Sequence, residues 1–193
     1  MEDGRQWKGD TMKRTPELRS LSEDHHHGLV HARQLRRAGD EHETNAAESV
    51  AKTFLDFWQK DTALHFRKEE EVLLPVMARY KGDLSQEPLV EMLEDHGRIR
   101  GLVMQLSDEV VGGNVRTETL HEIGERLEAH IRLEERVVFP LIEESLSEAA
   151  LRELAARLEV KQAGPRVELW VPSQELSYAP WPGPGDSEGG GYD

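Results

Sequence analysis

Apolar residues recur three and four positions apart through most of the chain, the spacing that lines one face of an α-helix. The first such stripe is Leu18, Leu21, Leu29, Ala32 and Leu35. Thr15 is placed to cap it, Pro16 suits the first helical position, Glu17 favours the positive end of the helix dipole, and Gly39 stops it. A second helical stretch begins around Asn45 and continues towards Tyr80, ahead of Gly82, and Pro75 inside it is expected to kink it or end it early. Pro88 opens a third helix that reaches about Val111, before the Gly112-Gly113-Asn114 break. A fourth runs from Thr117 to Leu146, with Pro140 in the role of Pro75, and Ser147 caps a short fifth helix with Leu151, Leu154 and Leu158 on one stripe. The pattern predicts an all-α fold over residues 15–160: an antiparallel up-down-up-down four-helix bundle with a short fifth helix, preceded by a flexible leader at 1–14.

From Gly164 onward the periodicity stops. Five of the nine prolines and six glycines fall in the last thirty residues, which excludes a helix there and makes 161–193 a Pro/Gly-rich tail. Arg166 to Val171 suits a short extended segment, and Trp170 and Trp181 leave room for docking onto the bundle or a neighbouring subunit.

Composition narrows the chemistry. A hydrophobic share of 37% and a charged share of 32% over 193 residues suit one domain whose helices each show a face to water. The net charge of −14, with no basic stripe, argues against nucleic acid or an anionic membrane as partner. No apolar run is long enough to span a bilayer, and the polar N-terminus lacks the apolar core of a signal peptide, so a cytoplasmic location is expected. Cysteine is absent, which removes disulfides, thiolate ligands and iron–sulfur clusters together; a metal here must be held by nitrogen and oxygen.

The nine histidines give that possibility substance through an internal duplication. The segment from His65 to Pro75 (HFRKEEEVLLP) aligns with that from His130 to Pro140 (HIRLEERVVFP), identical at six of eleven positions: the histidine, the arginine, both glutamates, a valine and the proline. Upstream of each copy lies a second matching element, Glu23-Asp24-His25 and Glu94-Asp95-His96. The order is therefore histidine helix, His-x-x-x-Glu helix, histidine helix, His-x-x-x-Glu helix. At about 100° per residue, positions i and i+4 share a helix face, so His65 with Glu69 and His130 with Glu134 each reach one point beside the axis. One such pair is an ordinary surface motif. Two in matched context, with a core-facing histidine on each remaining helix, converge six nitrogen and oxygen donors, which is how bundles build dinuclear sites. Imidazole and carboxylate without thiolate suit iron or manganese, and zinc shares these ligand types.

The neighbouring residues sort by angle. Leu18, Leu21, Leu29 and Ala32 lie within about 40° of His25 on a helical wheel, so His25 points inward. His26 is about 100° away at the edge of that face and is a minority candidate for a fifth nitrogen; His27, about 160° away, points out. His31 lies off the face, His42 falls in the first loop, and His121 faces about 180° from His130. Glu70 and Glu135 rotate out towards surface salt bridges. Asp24 and Asp95 turn about 100° from their histidine neighbours and receive no role.

Over residues 15–146 this pattern resembles the hemerythrin family in its HHE cation-binding branch, on the repeated H-x-x-x-E-E-x-x-x-x-P element. The resemblance implies a four-helix bundle with a non-haem di-iron centre, in which His25, His65, His96 and His130 are terminal ligands and Glu69 and Glu134 bridge the ions. One departure stands out: where the oxygen-carrying members have a further histidine four residues after the third-helix ligand, this chain has Arg100. Reversible oxygen transport is thereby put in doubt, and more positions are left for a small exogenous ligand. The first expectation is a di-iron protein that binds or senses dioxygen, peroxide or nitric oxide, or buffers iron. A second is a metal-dependent enzyme with peroxidase- or catalase-like turnover, for which no catalytic side chain is assigned. A third is a structural bundle whose histidines are merely packed, at a cost of several kcal/mol for burying those histidines and glutamates without metal. The oligomeric state is left open.

Overall fold

The computed structural model describes residues 14–40 and 44–161; the tail and His42 lie outside them. These residues form five helices and no strand. Helix α1 (Arg19–Asp40) follows a 3₁₀ turn over Pro16–Leu18. Helix α2 covers 44–81, α3 is Glu87–Val111, α4 covers 117–145 and α5 is Glu148–Lys161. The all-α bundle expected from the periodicity is what the chain adopts.

Helix α1 packs most extensively against α4, and α2 and α3 complete the ring of neighbours. The α1–α4 pair is antiparallel: Gly28 faces Ile131, Ala32 and Arg36 face Gly124, and Gly39 faces Thr117 and His121. At Gly124 a side chain would meet the backbone oxygen of Ala32 at 2.6 Å, so glycine is what allows the two helices to approach this closely. Helix α5 lays Leu151, Leu154 and Leu158 onto the end of the bundle formed by the 3₁₀ turn and the proline-containing part of α2. Ser147 caps it, its hydroxyl accepting from the Ala150 amide. Thr15 does not cap α1; its side chain makes no such bond, and its backbone amide instead donates to Glu143.

Pro75 and Pro140 neither end nor break their helices. A proline removes one amide donor and crowds the carbonyl four residues back. Here each helix widens into a π turn just before the proline, over Glu69–Leu73 and Glu134–Val138. The amide of Leu74 bonds the carbonyl of Glu69, and that of Phe139 bonds Glu134, five residues back in both cases. A third π turn, Trp58–Thr62, precedes His65. Such turns concentrate at functional sites, and two of these three begin on a glutamate of the duplicated motif.

The core is divided. One apolar block gathers Leu21, Leu73, Met77, Met92, Phe139 and the α5 leucines; another gathers Leu35, Phe54, Trp58, Ile99, Leu120 and Leu127. Between them lies a buried polar layer of His25, His65, Glu69, His96, His130 and Glu134.

Candidate metal centre

Each helix of the four contributes to that layer, α1 with His25, α2 with His65 and Glu69, α3 with His96 and α4 with His130 and Glu134. All six side chains are at most 4% exposed. Their donor atoms form two overlapping groups, His25, His65, Glu69 and Glu134 on one side, and His96, His130, Glu69 and Glu134 on the other, each within 4.8 Å. Both glutamates therefore belong to both groups. Glu69 presents Oε1 to His65 Nε2 at 3.2 Å and Oε2 to His96 Nε2 at 3.3 Å. Glu134 presents Oε2 to His25 Nε2 at 2.9 Å and Oε1 to His130 Nε2 at 3.1 Å. The Nε2 atoms of His25 and His65 lie 2.9 Å apart, both turned towards the same point.

The donor set fits bound metal on chemical grounds. All four oxygens of Glu69 and Glu134, and Nε2 of His96 and His130, are buried without a hydrogen-bond partner. A buried polar atom left this way costs on the order of 1–3 kcal/mol, and more when charged. Metal held among them would satisfy these atoms together. Without it protons must serve. Burial alone would push the imidazoles down, but the buried carboxylates outweigh it: Glu69, Asp24 and Glu134 raise His65 to about 10, Glu134, Glu69 and Glu70 raise His96 to about 10, and Glu134 and Asp95 raise His130 to about 9. Glu69 and Glu134 are held below the usual carboxylate range by the imidazoles around them, against burial that would lift them.

The outward nitrogens of three of these histidines bond an acidic residue, and that of His130 faces one without bonding it. His25 Nδ1 donates to Glu135 Oε1 at 2.7 Å and His96 Nδ1 to Glu70 Oε1 at 2.8 Å. His65 Nδ1 faces Asp24 at 3.3 Å, and His130 Nδ1 faces Asp95 at 3.8 Å. Partners of this kind fix which nitrogen remains free for a metal and raise its basicity. One reading of the sequence is extended here and another corrected. Glu70 and Glu135 do rotate out of the inner cluster into salt bridges, and each in addition accepts from an imidazole of another helix. Asp24 and Asp95 serve not the adjacent histidine but one across the bundle. The signal was present in the repeat itself, since all four acids recur in both copies.

Arginines complete two of these contacts. Arg100 forks onto Glu70, Nη1 to Oε1 at 2.5 Å and Nη2 to Oε2 at 3.0 Å. Arg14 bonds Glu135 Oε2 at 2.9 Å, the Glu135 carbonyl at 2.8 Å and Glu143 at 2.9 Å. Half-burial would lift Glu70 and Glu135, yet the imidazole and guanidinium donors, with the Ser22 hydroxyl on Glu135, hold both down at about 2.

A cavity of about 20 Å³, room for about one water, reaches His25, His65, His130 and Glu134 between Gly28, Phe57, Thr62, Leu127 and Ile131. The remaining histidines stand apart. His26 and His27 are exposed, His31 stacks on Phe57, and His121 sits half-exposed near Asp40 and Glu125.

The model of the hemerythrin HHE cation binding domain matches residues 17–142. No curated protein and no solved structure matches the chain.

Proposed function

The chain belongs to the hemerythrin HHE cation-binding domain family, and from that premise we propose that the cluster holds two non-haem irons, with His25 and His65 on one, His96 and His130 on the other, and Glu69 and Glu134 bridging them. The observation that carries this reading is the sharing of the two glutamates, each offering one unpartnered oxygen to either histidine pair. Iron so held supplies open coordination positions and one-electron chemistry to a small ligand such as dioxygen, peroxide or nitric oxide. The chain's own part is to aim the Nε2 atoms, to keep Nδ1 protonated against carboxylates, and to limit access to the volume beside Gly28 and Thr62. The apolar blocks on either side keep bulk water from the layer.

The test is metal content by elemental analysis, with an optical spectrum of the same aerobically purified sample. About two irons per chain with near-ultraviolet absorption of an oxygen-bridged pair is the expected result. An absence of bound metal, with no uptake on anaerobic reconstitution, overturns it. Steady peroxide turnover by the loaded protein separates an enzyme from a binding or sensing protein.

A further inference from the structure

The same local assembly is built twice around the cluster, from residues that do not correspond in the repeat. Around His96, the Phe66 ring stacks at 3.8 Å between centroids, Arg100 lies 5.4 Å from that ring, and the guanidinium grips the carboxylate that accepts from His96. Around His25, Phe139 stacks at 5.3 Å, Arg14 lies 5.1 Å from that ring, and the guanidinium bonds the other oxygen of the carboxylate that accepts from the histidine, its second terminal nitrogen going to Glu143. The glutamates and histidines are repeat-related; the arginines and phenylalanines are not. The counterpart of Arg100 is Leu29, that of Phe66 is Ile131, and that of Phe139 is Leu74. Arg14 precedes the span that the family model matches. Duplication accounts for the shared parts but not for these, so their recurrence points to a requirement of the site.

We propose that Arg14 and Arg100 are positioning residues that tune the two metal positions separately, Arg14 through Glu135 onto His25 and Arg100 through Glu70 onto His96. Arg100 forks onto both oxygens of Glu70 and Arg14 spans Glu135 and Glu143, and a planar guanidinium anchored at two points holds a carboxylate in one orientation better than an ammonium does. A fixed carboxylate fixes the imidazole that donates to it, and the stacked phenylalanine holds the ring's plane. Arg100 thus occupies the place of the further histidine of the oxygen-carrying members with a part of its own: it acts on the ion through a carboxylate and an imidazole. This inference rests on the proposed dinuclear site.

The experiment uses the full chain stripped of metal and titrated with cobalt(II), followed by calorimetry and visible absorption. His25→Ala leaves the His96 position to be read alone, and His96→Ala the His25 position. Arg100→Leu is expected to weaken cobalt binding about tenfold in the His25→Ala background and not in the His96→Ala background; Arg14→Leu does the reverse. Arg100→Lys and Arg14→Lys, which keep the charge and lose the two-point guanidinium anchor, fall between, and they stand in for any leucine variant whose metal-free melting shows that it does not fold. Unchanged affinities, or equal losses in both backgrounds, overturn the inference while leaving the dinuclear site standing. Failure of the wild-type chain to take up cobalt overturns both.

Discussion

His25, His65 and His130 line the cavity beside the cluster and His96 does not, although the two histidine pairs share their donor types and both glutamates. Three residues after His25 stands Gly28; three after His96 stands Ile99, fully buried. The missing side chain at Gly28 leaves part of the cavity, and Ile131 fills the rest of that space, its Cδ1 2.8 Å from where a Cβ would sit. One residue after His65 is Phe66, which lies flat on His96, the one histidine of the four that does not line the cavity. The acids differ as well. Asp24 is drawn towards Lys68 at 2.9 Å as well as facing His65, whereas the repeat puts Leu133 in the place of Lys68, and Asp95 stands 3.8 Å from His130, a separation that suits a bridging water. Two near-equivalent donor groups are thus made unequal by a few small exchanges at their rim, with no change in donor types.

The largest expected effect touches both sides at once. Metal bound only by the folded state stabilises it by about 4 kcal/mol at a thousandfold excess over Kd, so chelation should lower the melting temperature by roughly 10 °C. Calorimetry with and without chelator checks this, and an unmoved transition removes metal from the account of stability. Next, Glu134→Ala takes a bridging oxygen from each position. Its metal content should fall from about two ions to one or none by elemental analysis, and full content would exclude it as a bridge. Gly28→Ala bears on the comparison directly. It narrows the cavity, so azide binding to the loaded protein should weaken about tenfold with both ions retained, at a packing cost of about 1 kcal/mol. Equal azide affinity would mean that the ligand enters elsewhere.

Smaller is the pH dependence of the metal-free protein. His65, His96 and His130 sit at about 10, 10 and 9 in the fold against a usual value of 6.5. A raised folded value contributes stability that is complete below about 6.5 and is lost as pH rises through 9 to 10. The metal-free melting temperature should therefore fall between pH 7 and 10, measured by circular dichroism. Over the same range the loaded form should hold, because its ligands are already neutral imidazoles. A metal-free protein that gains stability on that climb would contradict the protonated cluster. Smallest of all, His26→Gln and His121→Gln should leave metal content unchanged and stability within about 0.5 kcal/mol.

Much of this was legible before any coordinates. The helix boundaries came from the apolar stripes and their Gly and Pro punctuation, and α5 was found through Ser147. The six residues of the polar layer stood out because a duplication marks positions twice and because His25 shares its face with leucines. What escaped has a common physical origin. Asp24, Asp95, Glu70 and Glu135 act across helices, and a wheel drawn on one helix can show that a side chain leaves its own face but not which neighbour it meets. Arg14 belongs to no periodic stripe, and it matters only because Glu135 and Glu143 on α4 approach it. The prolines were expected to kink or end their helices because the rule concerns α geometry, and a π turn relieves the same clash by admitting one more residue. The tail from 162 lies outside the described residues, and its docking remains an expectation from composition.

The crossed wiring of the outer acids bears on how such a chain could arise. Glu70, from the first repeat, supports His96 of the second, and Glu135, from the second, supports His25 of the first. A half-length ancestor with a single histidine helix and a single His-x-x-x-Glu-Glu helix would lack a support for one of its own imidazoles and would find it on a second copy, as a two-fold dimer. Fusion of the two genes would then release the halves from identity, and Gly28 against Ile99 and Lys68 against Leu133 are the kind of divergence that release permits. Cutting the chain in the connection between α2 and α3 reverses that history in the test tube: the two pieces should recover metal uptake when mixed, and neither should when alone.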